Sequence, residues 1–153
     1  MKQFCSLVVL LAVSSFLLAD KDKDNDKAVK KELVKFEGTW KIESMVIDGK
    51  EAPPEVFKEA KLVCKGDQFT MTHGDVVYKG TFKVDPSKKP KEIDVTFTEG
   101  PEKGKTVKGI YEVDDETYKV CMSEDEKDRP KKLESKEGSG HVLEILKKVK
   151  EKK

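Results

Sequence analysis

The segment Gly100-Pro101-Glu102-Lys103-Gly104-Lys105-Thr106 carries the glycines, lysine and threonine of a phosphate-binding loop. Only three residues separate its glycines where four are required, and the pattern after it is that of a strand. Without a following helix, a phosphate loses the amides and dipole that would hold it. The segment reads as a hairpin loop. Gly138-Ser139-Gly140-His141 brings a serine near a histidine, but a nucleophile elbow has its glycines two positions either side of the serine. Residues two apart on a strand also project in parallel, without the reach for proton transfer, so a structural turn is expected. Acids at every second position from Asp20 imitate the start of a calcium loop. Its sixth position is Asn25 instead of glycine and its twelfth is Lys31 instead of glutamate, which argues against calcium. His73 and His141 are the only histidines, and no ligand pair has the close spacing of a zinc site. No metal, no cofactor and no assembled acid, base or nucleophile emerges, so the chain is expected not to be an enzyme.

The elements around these residues follow from periodicity. From Gly38 the apolar residues recur at every second position, the signal of a half-buried strand. Trp40 and Ile42 alternate with Thr39, Lys41 and Glu43 in a first strand that continues to about Ile47 and turns at Asp48-Gly49. Pro53-Pro54 opens a helix of one or two turns in which Val56, Phe57 and Ala60 share a face. Strands follow at about 61–65, 68–73, 76–84, 92–98, 106–113 and 117–122, joined by short turns rich in glycine and aspartate. Phe69, Met71 and His73 fall on one face, as do Tyr78, Gly80, Phe82 and Val84, and then Ile93, Val95 and Phe97, with polar residues between them. One dry face and one wet face are expected when a single sheet curls around a core. Val142 to Leu146 suits a strand or a helix; a strand is preferred, because the meander needs a last strand to close against the first. The fold class is therefore all-β, an up-and-down antiparallel barrel of eight strands with one short helix after the first, and with a ninth strand if the piece around Leu133 adds one.

The ends of the chain are of a different kind. Lys2, the apolar run Phe4 to Leu18 and the small Ala19 form a signal peptide over residues 1–19. The run is shorter than the ~20 residues that span a bilayer. The mature protein is expected to be exported, periplasmic or secreted, with no stable membrane insertion. Residues 20–35, opening Asp20-Lys21-Asp22-Lys23, read as a charged flexible spacer. The barrel domain occupies 36–148, and 149–153 is a basic, solvated tail. Removing 1–19 takes one lysine and no acid from 31 basic and 30 acidic side chains, leaving no net charge. A nucleic-acid partner would favour a basic excess, so none is expected.

Gly38-Thr39-Trp40 at the head of such a barrel resembles the glycine-x-tryptophan signature of lipocalins, in which the tryptophan closes one barrel end. More of the chain is similar to a family of uncharacterised lipocalin-like domains abundant in planctomycete bacteria. The likeness rests on Gly38-Thr39-Trp40-Lys41, Gly80-Thr81-Phe82 with Asp85-Pro86, Lys89-Pro90-Lys91 with Ile93-Asp94, Gly100-Pro101, Gly104-Lys105-Thr106, Gly109-Ile110-Tyr111, Arg129-Pro130 and Gly138-Ser139-Gly140-His141, covering about 36–148. It implies a lipocalin-like fold and export, and no activity. In lipocalins a basic residue commonly packs over the signature tryptophan. Arg129, the only arginine, is the candidate for a cation–π contact with Trp40; the alternative is pairing within its acidic loop Glu124-Asp125-Glu126-Lys127-Asp128.

Cys64 and Cys121 are the cysteines of the mature chain. In an eight-stranded meander they lie three strand steps apart around the wall, roughly 14 Å at ~4.8 Å per step. A disulfide needs Cα atoms within about 7 Å, so two free thiols are expected. Eight strands enclose a space that side chains just fill or that holds one small molecule. The inward candidates are Trp40, Phe69, Met71, Tyr78, Phe82, Val95, Phe97, Tyr111 and Tyr118, with His73 at the rim. Gly80 and Gly109 fall on inward phases and would leave room. The expected function is binding of a small apolar ligand carrying one polar group; the alternative is a filled barrel serving protein interaction or structure.

Overall fold

The computed structural model describes residues 16–124 and 128–151. Most of the expected signal peptide, the centre of the acidic loop and the last two residues of the tail lie outside the described residues. The order is α1 (Phe16–Phe36), β1 (Gly38–Ile47), β2 (Lys50–Glu51), a 3-10 turn at Pro54–Val56, then β3 (Lys61–Lys65), β4 (Gln68–His73), β5 (Val76–Asp85), β6 (Lys91–Glu99), β7 (Thr106–Val113), β8 (Thr117–Ser123) and β9 (His141–Lys148). Every strand pairs antiparallel with its neighbours. β9 pairs with β1 from Trp40↔Lys148 to Ile47↔Val142, with an irregularity between Ile42 and Ser44. That pairing closes β1 and β3 to β9 into an eight-stranded up-and-down barrel. Closure removes the open edges that would otherwise template pairing with another chain.

The two-residue β2 is the ninth strand, hairpinned onto the end of β1. The piece around Leu133 is not a strand; it belongs to an irregular loop, residues 128–140, held mainly by side-chain bonds. Within the barrel, Trp40, Phe69, Phe82, Val84, Ile93, Val95, Tyr111, Tyr118, Val120 and Leu146 form a continuous buried core. Burial of each large apolar side chain contributes roughly 1.5–3 kcal/mol.

The charged segment read as a flexible spacer is instead the greater part of α1. Its lysines, glutamate, alanine and leucine favour helix and it holds neither glycine nor proline. Residues 21–28 are exposed, but Val29, Glu32, Leu33 and Phe36 recur at helical spacing and turn one face to the barrel. Phe36 is 1% exposed and enters the core, its ring 5.0–5.2 Å from those of Phe82, Tyr111 and Tyr118.

Gly80 and Gly109 do not leave room for a ligand. A Cβ on Gly80 would lie 2.0 Å from the Thr96 carbonyl oxygen and 2.7 Å from the Phe69 ring. On Gly109 it would lie 2.7 Å from the Cys121 carbonyl oxygen and 2.8 Å from Met122. Neighbouring backbone and side chains already occupy those positions, and at Gly80 the ladder to β6 shifts register.

Candidate ligand cavity

Where α1 runs into β1, one set of bonds fixes the closed end of the barrel. A helix leaves its last carbonyls without intrahelical donors. Here the Trp40 indole Nε1–H donates to the Phe36 carbonyl at 2.7 Å, and the Lys148 ammonium donates to the Lys35 carbonyl at 3.3 Å. Lys148 also lies 4.8 Å from the centroid of the Trp40 ring, a cation–π contact that places positive charge at the helix's negative end. Across this end Glu32, 4% exposed, accepts from Lys35 at 2.8 Å, from Lys91 at 2.6 Å and from the Tyr111 hydroxyl at 3.2 Å. Burial works to raise the Glu32 pKa, but the bonds and charges of Lys35 and Lys91 outweigh it and hold the carboxyl below its ordinary value.

The cation over Trp40 is thus Lys148, delivered by β9, and not Arg129. The arginine turns to the opposite face of the wall. Its Nη1 donates to the carbonyls of Ile93 at 2.9 Å and Gly109 at 2.7 Å, and its Nη2 to Asp94 at 2.6 Å, with Glu92 3.5 Å from Nε. A planar fork matches these diverging acceptors, and it pins the 128–140 loop to β6 and β7. Under that loop Ile110 and Cys121 are 1% and 0% exposed, though both point outward from the barrel. The Cys121 thiol donates to the Glu134 carbonyl at 3.3 Å. Cys64 is buried on the inward side, where desolvation pushes its thiol up to about 12. Both cysteines are free, on opposite faces of the wall and with β9 and β1 between their strands.

Inside the barrel is a cavity with about 70 Å³ open to the centres of water-sized molecules. Phe69, Met71, Phe82, Val95, Phe97 and Tyr118, all read as inward from the alternation, line it. Trp40 and Tyr111 point inward but are consumed by the closed end. Tyr78 stacks edge-on against Phe97 at 6.2 Å and does not reach the cavity, and His73 is exposed. Phe36, Leu62, Cys64, Ile93, Val120 and Met122 complete the apolar lining.

One lining residue is acidic. Glu144 lies opposite Val120 on β8 and Met45 on β1, in the same inward phase as Leu146. It makes no hydrogen bond or ion pair among the described residues, and desolvation alone pushes its carboxyl up to about 7. Among the described residues no sealed side-chain oxygen or nitrogen lacks a partner, so the carboxyl of the half-buried Glu144 stays within reach of a water-sized molecule, and the residue lines the cavity. The Tyr118 hydroxyl, likewise unbonded within the described protein, is pushed well above its ordinary pKa by burial and stays neutral. Alternation places Glu144 between Val142 and Leu146, a signal available only once this segment is taken as a strand.

The other sequence motifs resolve into turns. Ser139 Oγ accepts from the backbone of Lys136 and His141, both at 3.2 Å, as a turn residue does. Residues 100–105 form the β6–β7 hairpin loop, closed by the Gly104 amide on the Phe97 carbonyl at 2.9 Å. Among the described residues no three histidine, cysteine or acidic side chains are grouped to hold a metal, and no helix is long and apolar enough to cross a membrane. No protein-family model, curated protein or solved structure matches the chain.

Proposed function

We propose that this is an exported lipocalin-like domain that binds a small apolar molecule inside its barrel. The observation that carries the reading is the interior cavity, walled by aromatic and methionine side chains and offering only a few polar groups, the usual composition of a ligand site. At roughly 10–15 Å³ of such volume per water, its 70 Å³ corresponds to about five to seven heavy atoms. Met71 and Met122 are unbranched and adaptable, so a somewhat larger occupant is accommodated by their rearrangement. The amino-terminal charge and apolar run support export, and the position of Trp40 supports the likeness to lipocalins.

Native mass spectrometry of protein isolated from its own host tests the reading. A small molecule carried through purification, released on denaturation and matched to the cavity in size is the expected result. Repeated isolation without ligand, together with failure of xenon to enter the barrel, would sink it. That outcome favours a filled barrel with a structural or protein-binding role.

A further inference from the structure

Resting on that reading, we infer that the ligand is a small apolar amine, its nitrogen met by the carboxyl of Glu144 and the hydroxyl oxygen of Tyr118. An apolar barrel gains nothing in packing from a carboxyl group. Such a group, half-buried among apolar side chains, is retained at a cost unless a partner satisfies it. Glu32, the buried acid among the described residues, is satisfied three times over from within the protein. Glu144 has no such partner and opens on the cavity.

The chemistry of the missing partner follows from the donors and acceptors present. An ionised carboxylate only accepts, so the complement is a donor, and a cation is the strongest one. An alkylammonium has three N–H donors and no acceptor. Glu144 offers two oxygens, and the neutral Tyr118 phenol a third lone-pair site. The rings of Phe69, Phe82 and Tyr118 also wall the cavity and present faces or edges to a cation's alkyl body. An apolar acid would meet like charge here, and a hydrocarbon would leave Glu144 without a partner.

The surrounding charges do not supply the counter-ion. From β3, Cys64 is held as a neutral thiol, and from β8, Tyr118 is held as a neutral phenol. Lys148 on β9 is engaged with Trp40 and the Lys35 carbonyl, and Lys91 on β6 with Glu32. β1 contributes Met45 opposite Glu144, without charge. Amine affinity therefore falls as the medium is acidified below about 7, where Glu144 takes up a proton.

The test uses isobutylamine and its isostere isobutanol, with xenon as a probe of the cavity itself, read at pH 8 by the methyl resonances of Met71 and Met122. The intact protein is expected to bind the amine at least tenfold more tightly than the alcohol. Glu144→Gln should abolish that preference while still admitting xenon, and Glu144→Asp should restore part of it. If xenon enters but amine and alcohol bind alike, the amine assignment is overturned and the ligand-binding barrel stands. If neither xenon nor amine moves the methionine resonances of the intact protein, both readings fail. The comparison on unaltered protein decides the matter even if Glu144→Gln does not fold.

Discussion

Glu144 imposes an unusual pH dependence on stability. Its carboxyl is raised from the ordinary 4.5 to about 7 in the folded protein. The folded state therefore holds a proton that the unfolded chain has released. Stability associated with this residue is complete below about 4.5 and is lost as pH rises through 7, by roughly 3 kcal/mol at 1.36 kcal/mol per unit. Glu32, lowered in the fold, acts in the opposite sense, its contribution present above 4.5 and lost as the medium acidifies. The difference in urea midpoint between the natural protein and Glu144→Gln, followed from pH 4 to 8, isolates the first effect. The variant is expected to gain on the natural protein across this range, and parallel curves would refute the assignment. Residues of this kind are the least legible in sequence. Phe69, Met71 and Val95 announce their direction through alternation, whereas a glutamate in an undecided segment reads as solvent-facing by its type. Arg129 misled for another reason: its acceptors are carbonyls and carboxylates of β6 and β7 reached through an irregular loop path, which no periodicity encodes.

Among the elements, most strands were legible because each buries one face and several end in tight turns, so the period of two and the turn residues agree. α1 was not, since its stripe comprises only Val29, Glu32, Leu33 and Phe36 at the end of an otherwise exposed and charged segment. Such a helix is marginal alone and is set by docking. Its hold on the barrel is concentrated in Phe36 and Glu32. Phe36→Ala is expected to lower stability by about 3–5 kcal/mol, as large-to-small changes at packed aromatic sites do. Val34→Ala, two residues earlier on the exposed side of the helix and 63% exposed, should stay within about 0.5 kcal/mol. Chemical denaturation of the two variants side by side separates a docked helix from a tether, for which both changes would be equally mild.

At the scale of the whole molecule, the β1–β9 pairing joins the two ends of the sheet and makes the barrel a single cooperative unit. A chain ended after Gly140 lacks β9 and exposes β1 and β8 as edges; it is expected to aggregate or lose its cooperative thermal transition. A chain ended after Val149 keeps the bond from the Val149 amide to the Thr39 carbonyl, 2.8 Å, and should melt within a degree or two of the full protein. Circular dichroism melts of both truncations decide this, and a folded chain without β9 would contradict the closure. The same closure gives the molecule an optical reporter. Its single tryptophan is fully enclosed, hydrogen-bonded to the end of α1 and edge-on to Tyr118 at 5.9 Å. Emission excited at the indole should therefore be blue-shifted and resist iodide quenching. Because Tyr118 also borders the cavity, energy transfer from that phenol links the luminescence of the sealed end to whatever occupies the interior.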